Sequence, residues 1–181
     1  NSHSYLMLFT NTGRVYTVKA YRIPEASRTA KGTNVVNILD LREGEKITAL
    51  VGIEEFREGE YLTMITKNGI IKKTLLSEFE YQRKGGKIAL GLDDGDELVS
   101  VLHTNGDNDI IIASHEGHAV RFSEQNVRSM GRGARGVKAM SLSDDDFIKG
   151  VAVVDNEKKL LTVTEKGKGK RTPFDDFRNM K

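Results

Sequence analysis

One short phrase recurs along this chain and restricts its fold more than any other feature. Tyr5 to Gly13 reads YLMLFTNTG, Tyr61 to Gly69 reads YLTMITKNG, Asp109 to Gly117 reads DIIIASHEG and Lys159 to Gly167 reads KLLTVTEKG, with the glycines 56, 48 and 50 residues apart. Each copy is a β-rich apolar run ending in a polar pair and a glycine, the pattern of a buried strand entering a tight hairpin. A second run follows each glycine: RVYTVKAY, IIKKTLL, HAVRFSE and KGKRTPF. Next comes a basic, glycine-bearing segment, Arg28 to Gly32 (RTAKG), Arg83 to Lys87 (RKGGK) or Arg128 to Lys138 (RSMGRGARGVK). An acidic turn follows, LREGEKI from Leu41, LDDGDEL from Leu92 and LSDDDFI from Leu142. Each unit then ends in strand sequence, ITALVGI, LVSVLHT or IKGVAVV, read as its third and fourth strands.

About four short strands in about 50 residues make one blade of antiparallel sheet, and such a blade cannot bury both faces alone. Successive blades must therefore pack on one another around an axis. The expectation is an all-β, propeller-like or β-pinwheel array of four-stranded antiparallel blades, incomplete, spanning 1–181 as a single domain. The repeats are placed at 4–58, 59–106, 107–156 and, as a partial unit, 157–181. No segment carries a sustained helical period, apart from weak polar stretches around Ser77 to Tyr81 and Ser123 to Val127.

Composition removes several classes of function. The 181 residues contain no cysteine, so disulfides and thiolate metal sites are excluded, and a reducing, cytoplasmic setting is expected. No apolar run approaches the roughly 20 residues of a membrane helix, and Asn1 to Ser4 resemble neither a signal peptide nor a start, so the chain reads as a piece of something longer. The net charge of +2 hides a strong patterning: residues 1–39 carry +4, residues 40–60 carry −4, and the acid-free stretch Gln125 to Ser143 holds Arg128, Arg132, Arg135 and Lys138 before Asp144, Asp145 and Asp146.

Catalytic and metal motifs fail on context. The clustered carboxylates Asp93, Asp94, Asp96 and Asp144 to Asp146 lack EF-hand spacing and a closing bidentate Glu, and are read as solvated turns that also repel a polyanion from the wrong face. Gly131, Gly133 and Gly136 spell G-x-G-x-x-G, but neither the buried strand before it nor the amphipathic helix after it is visible. Gly167 to Thr172 (GKGKRT) lacks Walker A spacing. His115 and His118 fall in a predicted hairpin with no third ligand nearby in sequence. Nothing nominates Tyr5, Tyr16, Tyr21, Tyr61 or Tyr81 as a nucleophile; packing is their expected role. The expectation is a chain with no catalytic residue, metal or cofactor.

The basic segments do recur, and recurrence at equivalent repeat positions would place them on one rim. Lys and Arg there would release counterions from a duplex, while glycine turns let backbone N–H groups approach phosphate oxygens. Such contacts carry little base information, so binding should follow DNA bendability. The candidate DNA contacts are Arg28, Lys31, Arg83, Lys84, Lys87, Arg128, Arg132, Arg135 and Lys138 in the glycine segments, with Arg14, Lys72, Lys73, Arg121, Lys170 and Arg171 on the second strands. A propeller-like protein-interaction module would share the repeats without needing cations at one blade position. An enzyme would need convergent polar groups at the axis, and the sequence shows no such set.

Three long runs carry a resemblance over essentially the whole chain: GRVYTVKAYRIPEASRTAKGTNVVNIL from Gly13, NGIIKKTLLSEF from Asn68, and EGHAVRFSEQNVRSMGRGARGVKAMSL from Glu116. With GKGKRTPFDDF at the end, they resemble successive blades, roughly the second to fifth, of the C-terminal β-pinwheel of the DNA gyrase A subunit family. The resemblance implies a non-catalytic domain that wraps duplex DNA around its rim in support of ATP-dependent negative supercoiling. It also implies partnership with the rest of the gyrase A protein and through it the gyrase B protein, a nucleoid-associated bacterial cytoplasmic location, and a monomeric isolated piece without membrane contact. One departure stands out. The family's QRRGGKG box is matched here only by Gln82 to Lys87, QRKGGK, followed by Ile88, in the sequence context of the family's third blade, so the true box is expected upstream. The corresponding C-terminal domain of topoisomerase IV is the alternative assignment.

Overall fold

The structure, a computed structural model, describes residues 3–81 and 83–180. Strands β1 (Tyr5–Thr10) and β2 (Arg14–Lys19) form the first hairpin, and β3 (Ile47–Ile53) returns antiparallel along β1 after a long connection. The second unit supplies β4 (Tyr61–Thr66), β5 (Ile70–Leu75), β6 (Lys87–Ile88) and β7 (Leu98–Thr104). The third supplies β8 (Asp109–Ser114), β9 (Ala119–Ser123), β10 (Val137–Lys138) and β11 (Ile148–Val153), and the fourth β12 (Lys159–Val163), β13 (Gly169–Pro173) and β14 (Asn179–Met180). The all-β expectation holds, but the origin of each fourth strand does not.

The sheets are ordered β3-β1-β2-β6, β10-β5-β4-β7 and β11-β8-β9-β14, with β12-β13 as a two-stranded hairpin. Each of the runs ITALVGI, LVSVLHT and IKGVAVV is thus a single strand, and the blade's fourth strand comes from the basic glycine segment of the following unit. Thus Lys87 and Ile88 pair with Val15 and Arg14, and Val137 and Lys138 pair with Ile71 and Ile70. The donated segment touches its host twice. In the third unit it first meets β5 in parallel at the Lys73–Ser129 bridge, makes its glycine-rich excursion, and returns antiparallel as β10. The parallel pairing of β14 with β9, at Asn179 and Arg121, is the same first contact one unit later.

Pleating puts alternate side chains on opposite faces, and here both faces of the central strands are covered, which is why they read as continuous apolar runs. Met7 and Phe9 of β1 pack with Leu62 and Met64 of β4, joined by Leu76, Phe79 and Leu90. Ile65 of β4 and Ile71 of β5 face the other way, onto Ile110, Ile112 and Phe122 of the third blade. On the first blade's free side, Leu8, Tyr16 and Val18 are covered by Leu39, Val35 and Ile38 from the long 20–46 connection.

The hairpin glycines have two jobs. Gly69 sits at φ +85°, which only glycine adopts without strain, and a Cβ there would lie 2.9 Å from the Met140 carbonyl oxygen of the next unit's segment. Its carbonyl meanwhile accepts the Ala139 N–H at 2.9 Å, as that of Gly13 accepts Ala89 N–H at 2.8 Å. Gly117, at φ +89°, has nothing within 4 Å of its missing Cβ. Gly117→Ala should therefore cost only the conformational strain, about 1–2 kcal/mol, and Gly69→Ala clearly more, because the neighbouring main chain must also move. Urea unfolding of the two variants checks the order.

Candidate nucleic-acid interface

Four of the six candidate second-strand cations, Arg14, Lys72, Lys73 and Arg121, turn inward, whereas Lys170 and Arg171 are exposed. Lys72 is fully buried, with its ammonium donating to the carbonyl oxygens of Ala89, at 2.8 Å, and Arg132. Lys73 is also buried and donates to the Glu124 carbonyl at 2.8 Å. Arg121 donates to the Phe174 carbonyl at 2.8 Å and is held by Asp109 at 2.8 Å. Lys73 and Arg121 each stand four residues beyond their hairpin glycine, and Glu124 and Phe174 each stand seven beyond the next one. The repeated cation is therefore a joint between blades. Arg14 gives a variant of the same device, donating to the carbonyls of Gly85 and Gly86 while lying 3.6 Å from Glu45. All four are turned toward carbonyls of an adjoining unit's segment, which sets them apart from the outward cations, although Arg14 also lines the notch described below.

The glycine-segment cations remain outward. Arg28, Lys31, Arg83, Lys84, Arg128, Arg135 and Lys138 are exposed, as are Lys170 and Arg171 on β13; Lys87 and Arg132 are half-buried. Gln82, at the head of QRKGGK, lies outside the described residues. Because β6 is donated to the first blade and β10 to the second, the second and third basic segments are brought side by side. Together they line a notch of about 610 Å³ in which Arg83, Lys87 and Arg132 meet Tyr81 and Glu78. Burial and the nearby Arg132 and Arg83 charges lower the Lys87 pKa from its usual value. Burial also brings Lys72 down to about 8, in spite of Glu78 and with help from Arg132. Tyr81, for which packing was expected, is 83% exposed on the wall of this notch. The Arg28–Lys31 segment of the first unit is exposed throughout and pairs with no strand among the described residues.

The acidic turns are partly misread as well. Asp93, Asp94, Asp144 and Asp145 are exposed, but one carboxylate per turn is buried and pins the neighbouring hairpin. Asp96 accepts the Asn68 and Glu97 N–H groups at 3.0 and 2.8 Å, and Asp146 accepts those of Glu116 and Phe147 at 3.0 and 2.9 Å. Glu45 does the equivalent work with Thr12, Arg42 N–H and the Tyr16 hydroxyl, the last at 2.6 Å. For Asp146, burial favours the neutral acid, but hydrogen bonds from the Ser114 hydroxyl and the two N–H groups outweigh it and hold the pKa below 3.8. A further buried carboxylate, Glu124, unmarked in the sequence analysis, gathers Thr104, Gly106 N–H and Asn108 N–H at 2.7 to 3.0 Å and fastens the link between the second and third blades. Only its position seven residues after a hairpin glycine hinted at this.

The remaining motifs resolve into structure. Gly136 turns the chain into β10 at φ +104°, with no helix after it, and GKGKRT runs through β13. His115 stacks on Phe147 at 4.7 Å. Among the described residues no three His, Asp or Glu side chains converge as a metal site, and no helix is long and apolar enough to cross a membrane.

Four-stranded blades, each closed by a segment of its neighbour and bearing cations on that segment, define a repeat domain of the β-propeller type. A family model described as "DNA gyrase C-terminal domain, beta-propeller" matches residues 4–53, 60–105, 108–155 and 158–181, and the chain belongs to that family. It is 46% identical over 184 residues to the DNA gyrase A protein of Haloquadratum walsbyi, covering 98% of this chain and 22% of the relative. To the Escherichia coli gyrase A protein it is 42% identical over 177 residues, with 98% and 20% covered. The chain thus spans about a fifth of the curated relatives it matches. Among solved structures, a DNA gyrase A C-terminal domain superposes with a TM-score of 0.84 at 30% identity, covering 100% of this chain and 58% of that one. A topoisomerase IV C-terminal domain superposes at 0.89 with 28% identity, covering 99% and 56%.

The buried carboxylates separate structure from charge in a way that stability measurements resolve. Asp146→Ala should lower the midpoint of urea unfolding, whereas the double change Asp144→Ala, Asp145→Ala should leave it nearly unchanged. Because the Asp146 pKa is depressed, its contribution is present above about pH 4 and fades as the solution falls through the lower folded value. The gap between wild type and Asp146→Ala should close over that range.

Proposed function

We propose that this chain binds and wraps duplex DNA without sequence specificity, as the C-terminal domain of a DNA gyrase A protein in support of ATP-dependent negative supercoiling. The observation that carries the reading is the placement of the basic glycine segments. The second and third are fourth strands of the blades before them, so their excursions emerge at equivalent positions and share one cation-lined notch. Contacts repeated at that spacing fit the backbone of a bent duplex better than a single epitope. The contact set is accordingly Arg28, Lys31, Arg83, Lys84, Lys87, Arg128, Arg132, Arg135, Lys138 and, on β13, Lys170 and Arg171. No cofactor is called for; cleavage and ATP hydrolysis belong to other parts of the enzyme, and the partners are DNA, the remainder of gyrase A and through it gyrase B, in the bacterial cytoplasm. A topoisomerase IV domain is the second reading, favoured by the 0.89 superposition and opposed by the 42–46% identity with gyrase A proteins over nearly the whole chain.

Replacing Arg132, Arg135 and Lys138 together with Ala tests the rim. Arg135 has one exposed ion pair, with Asp93 at 2.6 Å, of the kind worth at most about 1 kcal/mol, so thermal stability should barely change. If each cation neutralises about one phosphate, the slope of log K against log salt should fall by about 2 to 3. An unchanged slope in a folded triple variant places the DNA path elsewhere.

A further inference from the structure

The notch between the second and third basic segments has two walls from different units, and one buried side chain reaches both. Lys72 rises from β5, and its ammonium donates to Ala89, next to Ile88 on one wall, and to Arg132 on the other. The Ala89 side is already anchored, since β6 is paired with β2 and the Ala89 N–H is bound to Gly13. The Arg132 side is an excursion between the Lys73–Ser129 bridge and β10, and its other ties are weaker. Gly91 N–H donates to the Ala134 carbonyl at 3.1 Å, Arg132 N–H to the carboxylate of the exposed Glu78 at 3.2 Å, and Arg135 pairs with Asp93 in solvent. Lys72 is the one fully buried charge among these ties, and a desolvated cation shared by two carbonyls makes the stronger, charge-assisted kind of hydrogen bond.

We propose that Lys72 is a positioning residue that sets the separation of two successive DNA-contacting loops, and thereby the curvature imposed on bound duplex, without touching the DNA. This rests on the DNA-wrapping reading above. Loops at a fixed spacing select a fixed bend in the backbone that bridges them, whereas loops free to move accept straighter DNA with the same local phosphate contacts. The register-equivalent residues of the flanking units are Tyr16, whose hydroxyl is bound to Glu45, and Val120, so neither supplies a cation there, whereas the fourth unit carries the exposed Lys170.

The absence of cysteine makes the loop separation directly measurable. Spin labels go on Ile88→Cys, exposed on the anchored wall, and on Gly133→Cys, where an added Cβ meets nothing within 4 Å. In the otherwise native chain the inter-label distance should be single and narrow. Lys72→Met should broaden or shift it, and Lys72→Arg, which keeps a cation with several donors, should restore most of it. Without the labels, Lys72→Met should keep its affinity for a duplex of about 20 base pairs within about twofold, while the bend of a longer duplex, read by end-to-end energy transfer, drops by about half or more. An unchanged label distance overturns the proposal whatever the DNA does, and so does a changed distance with an unchanged bend. If Lys72→Met does not fold, the Lys72→Arg chain decides: native distance and native bend support positioning, and native distance with a lost bend overturns it. A native chain that bends no duplex overturns the wrapping reading together with this one, whereas a native chain that bends DNA and a Lys72→Met chain that matches it overturn this one alone.

Discussion

The hydrogen bonds from Ala89 to Gly13 and from Ala139 to Gly69 are small interactions on which the rest of the array depends. Each joins the end of a donated basic segment to the hairpin glycine of the preceding blade. Without the donation, β2 and β5 would end as open edges, and main-chain groups beside them would be buried without partners. With it, no unit completes its own sheet. The blades are therefore linked through backbone pairing as well as through the Met7–Leu62 and Ile65–Ile110 cores.

Donation also explains why so much charge is buried here. A segment that arrives from another unit brings carbonyls that its host strand cannot satisfy through the ladder alone, and cations on the host strand are the available donors. Lys72, Lys73, Arg14 and Arg121 fill that role, while Glu45, Asp96, Asp146 and Glu124 do the matching work for N–H groups in the turns. Removing one partner from such a pair leaves a buried polar group unmet, which costs more than the hydrogen bond itself contributes. The joints consequently hold the outward glycine excursions at fixed places, and the exposed cations inherit their arrangement from buried ones.

The repeat phrase made the strands and hairpins legible, because apolar runs ending in polar-polar-glycine leave little choice of local structure. The excursions were legible as surface for a similar reason: glycine and arginine without acids do not build a core. The donor of each fourth strand was not legible, since two-residue strands such as Lys87–Ile88 and Val137–Lys138 have no period of their own. The inward turn of Arg14, Lys72, Lys73 and Arg121 was not legible, because a Lys-Lys pair in a strand looks the same whether its partner is a phosphate or a carbonyl on a neighbouring unit's loop. Carbonyls leave no trace in sequence. Asp96 and Asp146 were hidden by their exposed neighbours Asp93, Asp94, Asp144 and Asp145, which made a pinned turn look like a solvated one.

On the proposed wrapping function, donated segments hold their cations along a curved path that constrains DNA. The most direct measurement is relaxation of a closed circular plasmid by a nicking-closing activity in the presence of increasing amounts of the chain. A path of fixed curvature and hand should shift the topoisomer distribution in one direction, in proportion to bound protein and more weakly as salt rises. Tight binding with a distribution that stays centred on that of free DNA would contradict the account.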